Sequence, residues 1–213
     1  MTPRNPLLLL LDMDGTLTSK RSPWQFVHEQ FGLWESHGKL LLAQYLAGTI
    51  THQQFCDEDA RLWWEHGISL PRIEDTLRSI PAPEESIAFL RQVKSAGIRI
   101  AIISTGFVAT AHAILERAGI SPNEVEIAAN SIVHRDGGLF PVLRVVENDE
   151  DLGKGAWALR FQKFHRLGPE DTASVGDSAA DEPMFEQCGR YQKIPGPHVL
   201  REIPWLYLNE ENP

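Results

Sequence analysis

The chain opens on an uninterrupted apolar run, Leu7 to Leu11, closed by Asp12. Five leucines bounded by a charge predict a short, fully buried strand. The rhythm then changes to helical spacing. Ser22-Pro23-Trp24-Gln25 combines a capping serine, a proline at the first helical position and a glutamine three residues after the cap. That helix should run to about Phe31 and stop at Gly32. Leu40, Leu41, Ala43, Tyr45 and Leu46 mark a second helix ending at Gly48. Thr51-His52-Gln53-Gln54 repeats the capping signature and opens a third, ending near Gly67, and a fourth follows Pro71 and ends before Pro81. Four helices with short links predict a small bundle.

From Pro83 the pattern alternates. A helix closes at Gly97, Ile98 to Ile103 reads as a buried strand, and a further helix after Ser104-Thr105-Gly106-Phe107 ends at Gly119. Asn130 to Val142 reads as a hairpin around Arg135-Asp136-Gly137-Gly138. A helix from about Gly155 to Leu167 leads to the strand Thr172 to Val175. Such alternation predicts an α/β fold, a Rossmann-like parallel sheet covered on both faces. The bundle is then an insertion: residues 18–81 form a small helical domain, and residues 1–17 with 82–213 form the α/β core.

At 213 residues the chain can hold one sizeable core plus a small inserted module. Its formal charge of −9 argues against a nucleic-acid backbone as partner, an affinity that rests on Lys and Arg. Cys56 and Cys188 are too few and too far apart for a disulfide framework or a zinc site. Free thiols fit a reducing cytoplasm, where the protein is expected to reside. The first apolar run is too short for a secretion signal, and no stretch approaches a membrane span. Oligomeric state is not legible.

The chemistry gathers where strands end. Asp12 and Asp14, two residues apart on an extended chain, point the same way, at the sheet edge where active-site crevices form. Gly15 lets the backbone turn sharply, with its amides facing an anion. Ser104 and Thr105 follow the second strand, Lys154 starts a helix, and Asp177 and Asp181 follow a later strand. Each has a plain structural reading: a helix cap, a solvated lysine, a tight turn. Together, in this order, they predict a site for chemistry at a metal-bound phosphate.

On these residues the chain resembles the haloacid dehalogenase (HAD) superfamily, in its phosphoserine-phosphatase-like branch (subfamily IB). The carrying motifs are D-x-D-G-T at Asp12 to Thr16, Ile103-Ser104-Thr105-Gly106-Phe107, Lys154, and G-D-x-x-x-D at Gly176 to Asp181. The helical insertion is similar to the branch's C1-type cap, and Ala129-Asn130-Ser131-Ile132-Val133 with its hairpin is similar too, so the resemblance spans nearly the whole chain. It implies a phosphoric monoester hydrolase acting on a small phosphorylated metabolite. Asp12 would be the nucleophile that forms an aspartyl-phosphate. Asp14 would be the general acid and then the base. Ser104 and Lys154 would hold the transferring oxygens, and Gly15, Thr105 and Gly106 would line the phosphate. Mg²⁺ would be held by Asp12, the backbone carbonyl of Asp14 and Asp177, with Asp181 on metal-bound water or orienting the site.

The chain departs from that branch in its cap. Arg21 stands nine residues after Asp12, where a substrate-binding glutamate is usual, and an acid, Asp59, falls at the place of a substrate-binding arginine. Both charges are inverted, so Arg21 is taken as substrate-binding and the natural substrate need not be phosphoserine. Ala180 replaces a usual supporting asparagine. Trp24, Trp34, Trp63 and Trp64 read as cap core, with one able to line the pocket, and the histidines show no metal spacing. A phosphotransferase using an alcohol acceptor is the alternative of similar chemistry. A receiver-like phosphoacceptor module is the alternative of another class; the insertion after Thr16 and the acid Asp14 argue against it.

Overall fold

A computed structural model describes residues 4–207. Six strands form one sheet: β1 (Leu8–Leu11), β2 (Arg99–Phe107), β3 (Glu126–Arg135), β4 (Gly138–Val142), β5 (Thr172–Gly176) and β6 (Arg190–Lys193). Their order is β4-β3-β2-β1-β5-β6, parallel except for the hairpin that β3 makes with β4. β1 lies at the centre, with Leu11 opposite both Ile102 and Val175.

The leucine run has no polar alternation because both faces of its strand are covered. Leu9 and Leu11 join a core with α5 (Glu84–Ser95) and α6 (Val108–Arg117). Leu8 and Leu10 point to the other face, against Ala158 and Phe161 of α7 (Lys154–His165) and Met184 and Phe185 of α8 (Glu182–Phe185). All four are wholly buried.

Two features of the sheet differ from expectation. β2 does not end at Ile103 but runs to Phe107, with an irregular register against β3 between Ile103 and Phe107. A shift of this kind re-aims side chains beside an active site. β6 was not anticipated; its sequence, Arg-Tyr-Gln-Lys, carries no apolar run because it is a half-exposed edge strand.

The insertion contains α1 (Pro23–Gln30), α2 (Lys39–Leu46), α3 (His52–Glu65) and α4 (Leu70–Arg78). Thr51 and Gln54 make a reciprocal capping box on α3. Ser22 accepts from the Gln25 amide, but the Gln25 side chain bonds Glu29 instead of returning to the cap, so only half the expected box forms. A π-helical turn, Trp34–Gly38, precedes α2, and a Cβ on Gly38 would lie 2.6 Å from Trp34 Cε3.

Ser19 N–H donates to the Pro81 carbonyl at 3.0 Å across the neck of the insertion. Trp24, Phe55 and Trp63 share a cluster with Phe107, Ile132 and Leu139 of the sheet side, so the bundle is seated on the core through buried apolar surface. Tyr45 Oη adds a hydrogen bond to Glu147 Oε2 at 3.0 Å, and Arg78 pairs with Glu116. Among the described residues no helix is long and apolar enough to cross a membrane.

Candidate active site

The site is built where β1, β2 and β5 end. Asp12 is still held in the sheet, its N–H donating to the Val175 carbonyl at 2.9 Å. The chain then turns tightly. The Met13 carbonyl accepts from Leu17 N–H at 2.8 Å and Thr18 N–H at 2.9 Å, and Gly15 takes φ +91°, a conformation that disfavours any side chain. A Cβ there would also meet Asp177 Oδ2 at 2.4 Å. The Gly15 amide is not wholly free: it makes a long contact, 3.4 Å, to Thr18 Oγ1.

The two motif aspartates sit in different surroundings. Asp12 Oδ1 accepts from Lys154 Nζ at 2.6 Å, and its Oδ2 accepts from Thr16 Oγ1 at 2.9 Å. Burial pushes its carboxyl up to about 6, Lys154 opposes that shift and Asp181 adds to it. Asp14 Oδ2 accepts from Ser104 Oγ at 2.8 Å, while its Oδ1 is buried without a hydrogen-bond partner. Burial and then the neighbouring Asp12 charge push Asp14 up to about 8. These shifts favour the protonated form, and the Ser104 hydrogen bond opposes them.

The lysine and the last motif close the ring. Lys154 Nζ also donates to Asp181 Oδ1 at 2.5 Å. Burial alone would disfavour its charge, but Asp12 and Asp181 outweigh that and hold it above the ordinary lysine value. Asp181 Oδ2 accepts the Asp177 and Ser178 amides, both at 3.0 Å. Gly176 must lack a side chain here, because a Cβ would stand 2.4 Å from Asp181 Cγ. Gly106 N–H donates to Ser104 Oγ at 2.8 Å, and a Cβ on Gly106 would overlap Asp14 Oδ2 at 2.0 Å.

Asp12, Asp177 and Asp181 each offer an oxygen within 4.8 Å of the others. Three hard carboxylate donors suit Mg²⁺, and the buried Asp177 Oδ2, which has no hydrogen-bond partner, leaves a lone pair to be satisfied. The Asp14 carboxylate lies outside this group and faces Ser104. The structure thus brings Asp12, Asp14, Gly15, Ser104, Gly106, Lys154, Asp177 and Asp181 into one site, and Thr105 with Lys154 and Ala180 lines a cavity of about 310 Å³ beside it. Arg21 reaches the same cluster, its Nε 3.1 Å from Asp177 Oδ2 without hydrogen-bond geometry.

Other cap expectations change. Asp59, placed by counting at a substrate-facing position, is wholly buried and bonded to His28 Nε2 at 2.6 Å. Burial holds its carboxyl above the usual range, the His28 contacts opposing. Trp24 and Trp63 stack inside the cap, and Trp64 lines a separate groove of about 650 Å³ between α3 and the β3–β4 hairpin. Asn130 has a structural role beyond its place in β3. Its wholly buried amide donates to the Thr105 and Val145 carbonyls and accepts from the Arg144 and Val145 amides, fixing the end of β2. An asparagine inside an otherwise apolar strand was the available signal.

Residues 9–186 match the family model described as haloacid dehalogenase-like hydrolase. A phosphoserine phosphatase of Archaeoglobus fulgidus is 25% identical over 98% of this chain, which spans 58% of that relative's length. One of Methanocaldococcus jannaschii is 25% identical over 92% of this chain and 88% of its own. Among solved structures, a phospho-aspartyl intermediate analogue of phosphoserine phosphatase has a TM-score of 0.71 at 23% identity, covering 93% of this chain and 91% of that one. A substrate-bound phosphoserine phosphatase has a TM-score of 0.68 at 22% identity, covering 96% and 92%. The family description names a hydrolase, and both relatives are named phosphoserine phosphatase. With its motifs gathered at one sheet edge and 178 of its residues inside the matched stretch, the chain belongs to the haloacid dehalogenase-like hydrolases.

Proposed function

We propose that the protein is a Mg²⁺-dependent phosphatase that hydrolyses a small phosphorylated metabolite through an aspartyl-phosphate on Asp12. The observation that carries this reading is the split between two neighbouring carboxyls: Asp12 is paired with a lysine, whereas Asp14 accepts only from Ser104, and burial with the Asp12 charge raises its proton affinity against that bond. Pairs whose surroundings push their proton affinities apart divide nucleophile from acid.

In the first step an Asp12 oxygen attacks phosphorus, and Asp14 gives its proton to the departing alkoxide. In the second, the now ionised Asp14 takes a proton from water, which attacks the aspartyl-phosphate and frees Asp12. Proton transfer of this kind is worth roughly 10²–10⁴ in rate. Lys154 Nζ, which donates to Asp12 and Asp181, and Ser104 Oγ, which donates to Asp14, would bind the transferring oxygens. Asp181 holds Lys154 and the 177–178 turn in position. Asp12, Asp177, Asp181 and the Asp14 carbonyl would hold Mg²⁺. When bound, the metal offsets the repulsion between Asp12 and the phosphate oxygens.

Phosphoserine itself is not favoured as the natural substrate, because the cation Arg21 stands at the cap's entrance to the site, where an acid would be needed to receive an ammonium group. The test is phosphate release from a panel of phosphorylated metabolites, with Mg²⁺ or EDTA. Metal-dependent release that disappears in Asp12→Asn is expected. Full release by Asp12→Asn would overturn the reading, and product formed only with an added alcohol would replace it by phosphoryl transfer.

A further inference from the structure

Among the described residues, only Lys154 and Arg21 bring a cation within ion-pair distance of the site's aspartates. They are unlike. Lys154 is 7% exposed and its ammonium is divided between two carboxylates. Arg21 is 70% exposed, although the Asp177 carboxylate that it reaches is only 4% exposed. Its contact is through Nε, 3.1 Å from Asp177 Oδ2, and Oδ2 gains no hydrogen bond from it. The terminal nitrogens, which form the planar fork of a guanidinium, donate no hydrogen bond to the protein among the described residues.

The position of Arg21 is built, not incidental. Thr18 Oγ1 donates to the Lys20 carbonyl at 2.8 Å and also meets the Gly15 amide, so the chain after the nucleophile folds back over the site. Ser22 then caps α1, which fixes Arg21 at the junction of core and insertion. Its Cγ lies 3.1 Å from where a Gly15 Cβ would be, so the stem of the side chain rests on the nucleophile turn. A fork held at the entrance by its stem, with both terminal nitrogens open, is the geometry that binds a carboxylate or a second phosphate bidentately.

We propose that Arg21 is a specificity-determining residue that binds an anionic group on the leaving-group side of the substrate, so that the preferred substrates are phosphomonoesters carrying a second negative charge. This rests on the phosphatase reading of the same site. Arg21 Nε and a bound metal ion would draw on the same Asp177 carboxylate, so metal binding would not depend on the arginine.

Paired esters test it. 3-Phosphoglycerate and glycerol 3-phosphate differ by a carboxylate, as do phosphoserine and phosphoethanolamine. The wild-type enzyme is expected to show the lower KM for the carboxylate member of each pair. Arg21→Ala should raise that KM by about tenfold and leave the other member's within twofold, with Arg21→Lys in between. Calorimetric titration of metal-free protein with Mg²⁺ alone should show binding by Arg21→Ala that is at least as tight as wild type. Equal losses on both members of a pair would place Arg21 on the transferring phosphoryl group, and no loss on either would leave it without a substrate role; each overturns the inference. Markedly weaker Mg²⁺ binding by Arg21→Ala would also overturn it. If wild-type protein with Mg²⁺ releases phosphate from no ester at all, the phosphatase reading fails first and this inference falls with it.

Discussion

Gly106→Ala tests the proposed general acid, Asp14, without replacing a charged residue. The added Cβ would lie 2.0 Å from Asp14 Oδ2 and 3.0 Å from both Asp14 Cγ and Met13 Cε. Real contacts of this kind essentially never fall below 3.0 Å, so Oδ2 must retreat by about 1 Å or more. That movement breaks the 2.8 Å bond from Ser104 Oγ, and Asp14 Oδ1 has no other buried partner to hold the carboxyl in place. Overpacking of this size costs roughly 1–3 kcal/mol, a fall in Tm of about 2–12 °C for a domain of this length. The effect on turnover is larger. A misplacement of about 1 Å costs on the order of 10²-fold, and full loss of proton transfer about 10²–10⁴. Alkyl phosphates, whose leaving oxygen needs a proton, should lose that much kcat. p-Nitrophenyl phosphate needs no acid for its first step, so stopped-flow should show a burst of nitrophenolate near one per active site, followed by slow hydrolysis. Combining Gly106→Ala with Asp14→Asn should cost little beyond Asp14→Asn alone, because both remove the same function. An alkyl phosphate kcat within about threefold of wild type, in a variant whose Tm confirms the clash, would refute the assignment of Asp14 as acid and base.

Four further outcomes are expected. Activity should rise with pH as Asp12 ionises near 6 and fall as Asp14 loses its proton near 8, a bell-shaped kcat/KM profile whose acid limb moves to lower pH as Mg²⁺ is raised. Because both carboxyls lie above their ordinary value of 3.8 in the fold, the charged forms are disfavoured there. The metal-free protein should therefore melt at a lower temperature at pH 8 than at pH 6; the reverse order would contradict the burial argument. In the cap, removing either partner of the buried His28–Asp59 contact should cost about 3–5 kcal/mol in denaturant unfolding, whereas replacing both by leucine should cost far less. Thr51→Ala removes the capping box of α3 and should lower stability by about 0.5–2 kcal/mol with kcat unchanged.

Much of the fold was legible because its signals are local. The leucine run, the Ser22 and Thr51 caps and the glycines that end helices each report a backbone conformation set by neighbours in sequence. The strand-ending motifs were legible too, since a sheet's carboxyl edge gathers whatever follows its strands. β6 escaped because an edge strand buries too little to need an apolar run, and the end of β2 was misjudged because its pairing is decided by β3 and by Asn130.

By itself, then, the order of residues determined an α/β core with a helical insertion and named the aspartates, serine and lysine of the site. Chain connectivity and hydrophobic burial suffice for that. Tertiary packing alone decided what each group is. Asp12 and Asp14 are the same residue type two positions apart, yet Lys154, 142 residues away, sits against one and Ser104, 90 residues away, against the other. Asp59 became a cap core residue because His28, 31 residues before it, was folded onto it, and Arg21 was brought to Asp177 by the turn that Gly15 permits. Proton affinity and partner choice depend on burial and on charges a few ångströms away, and those distances exist only once the chain has closed on itself.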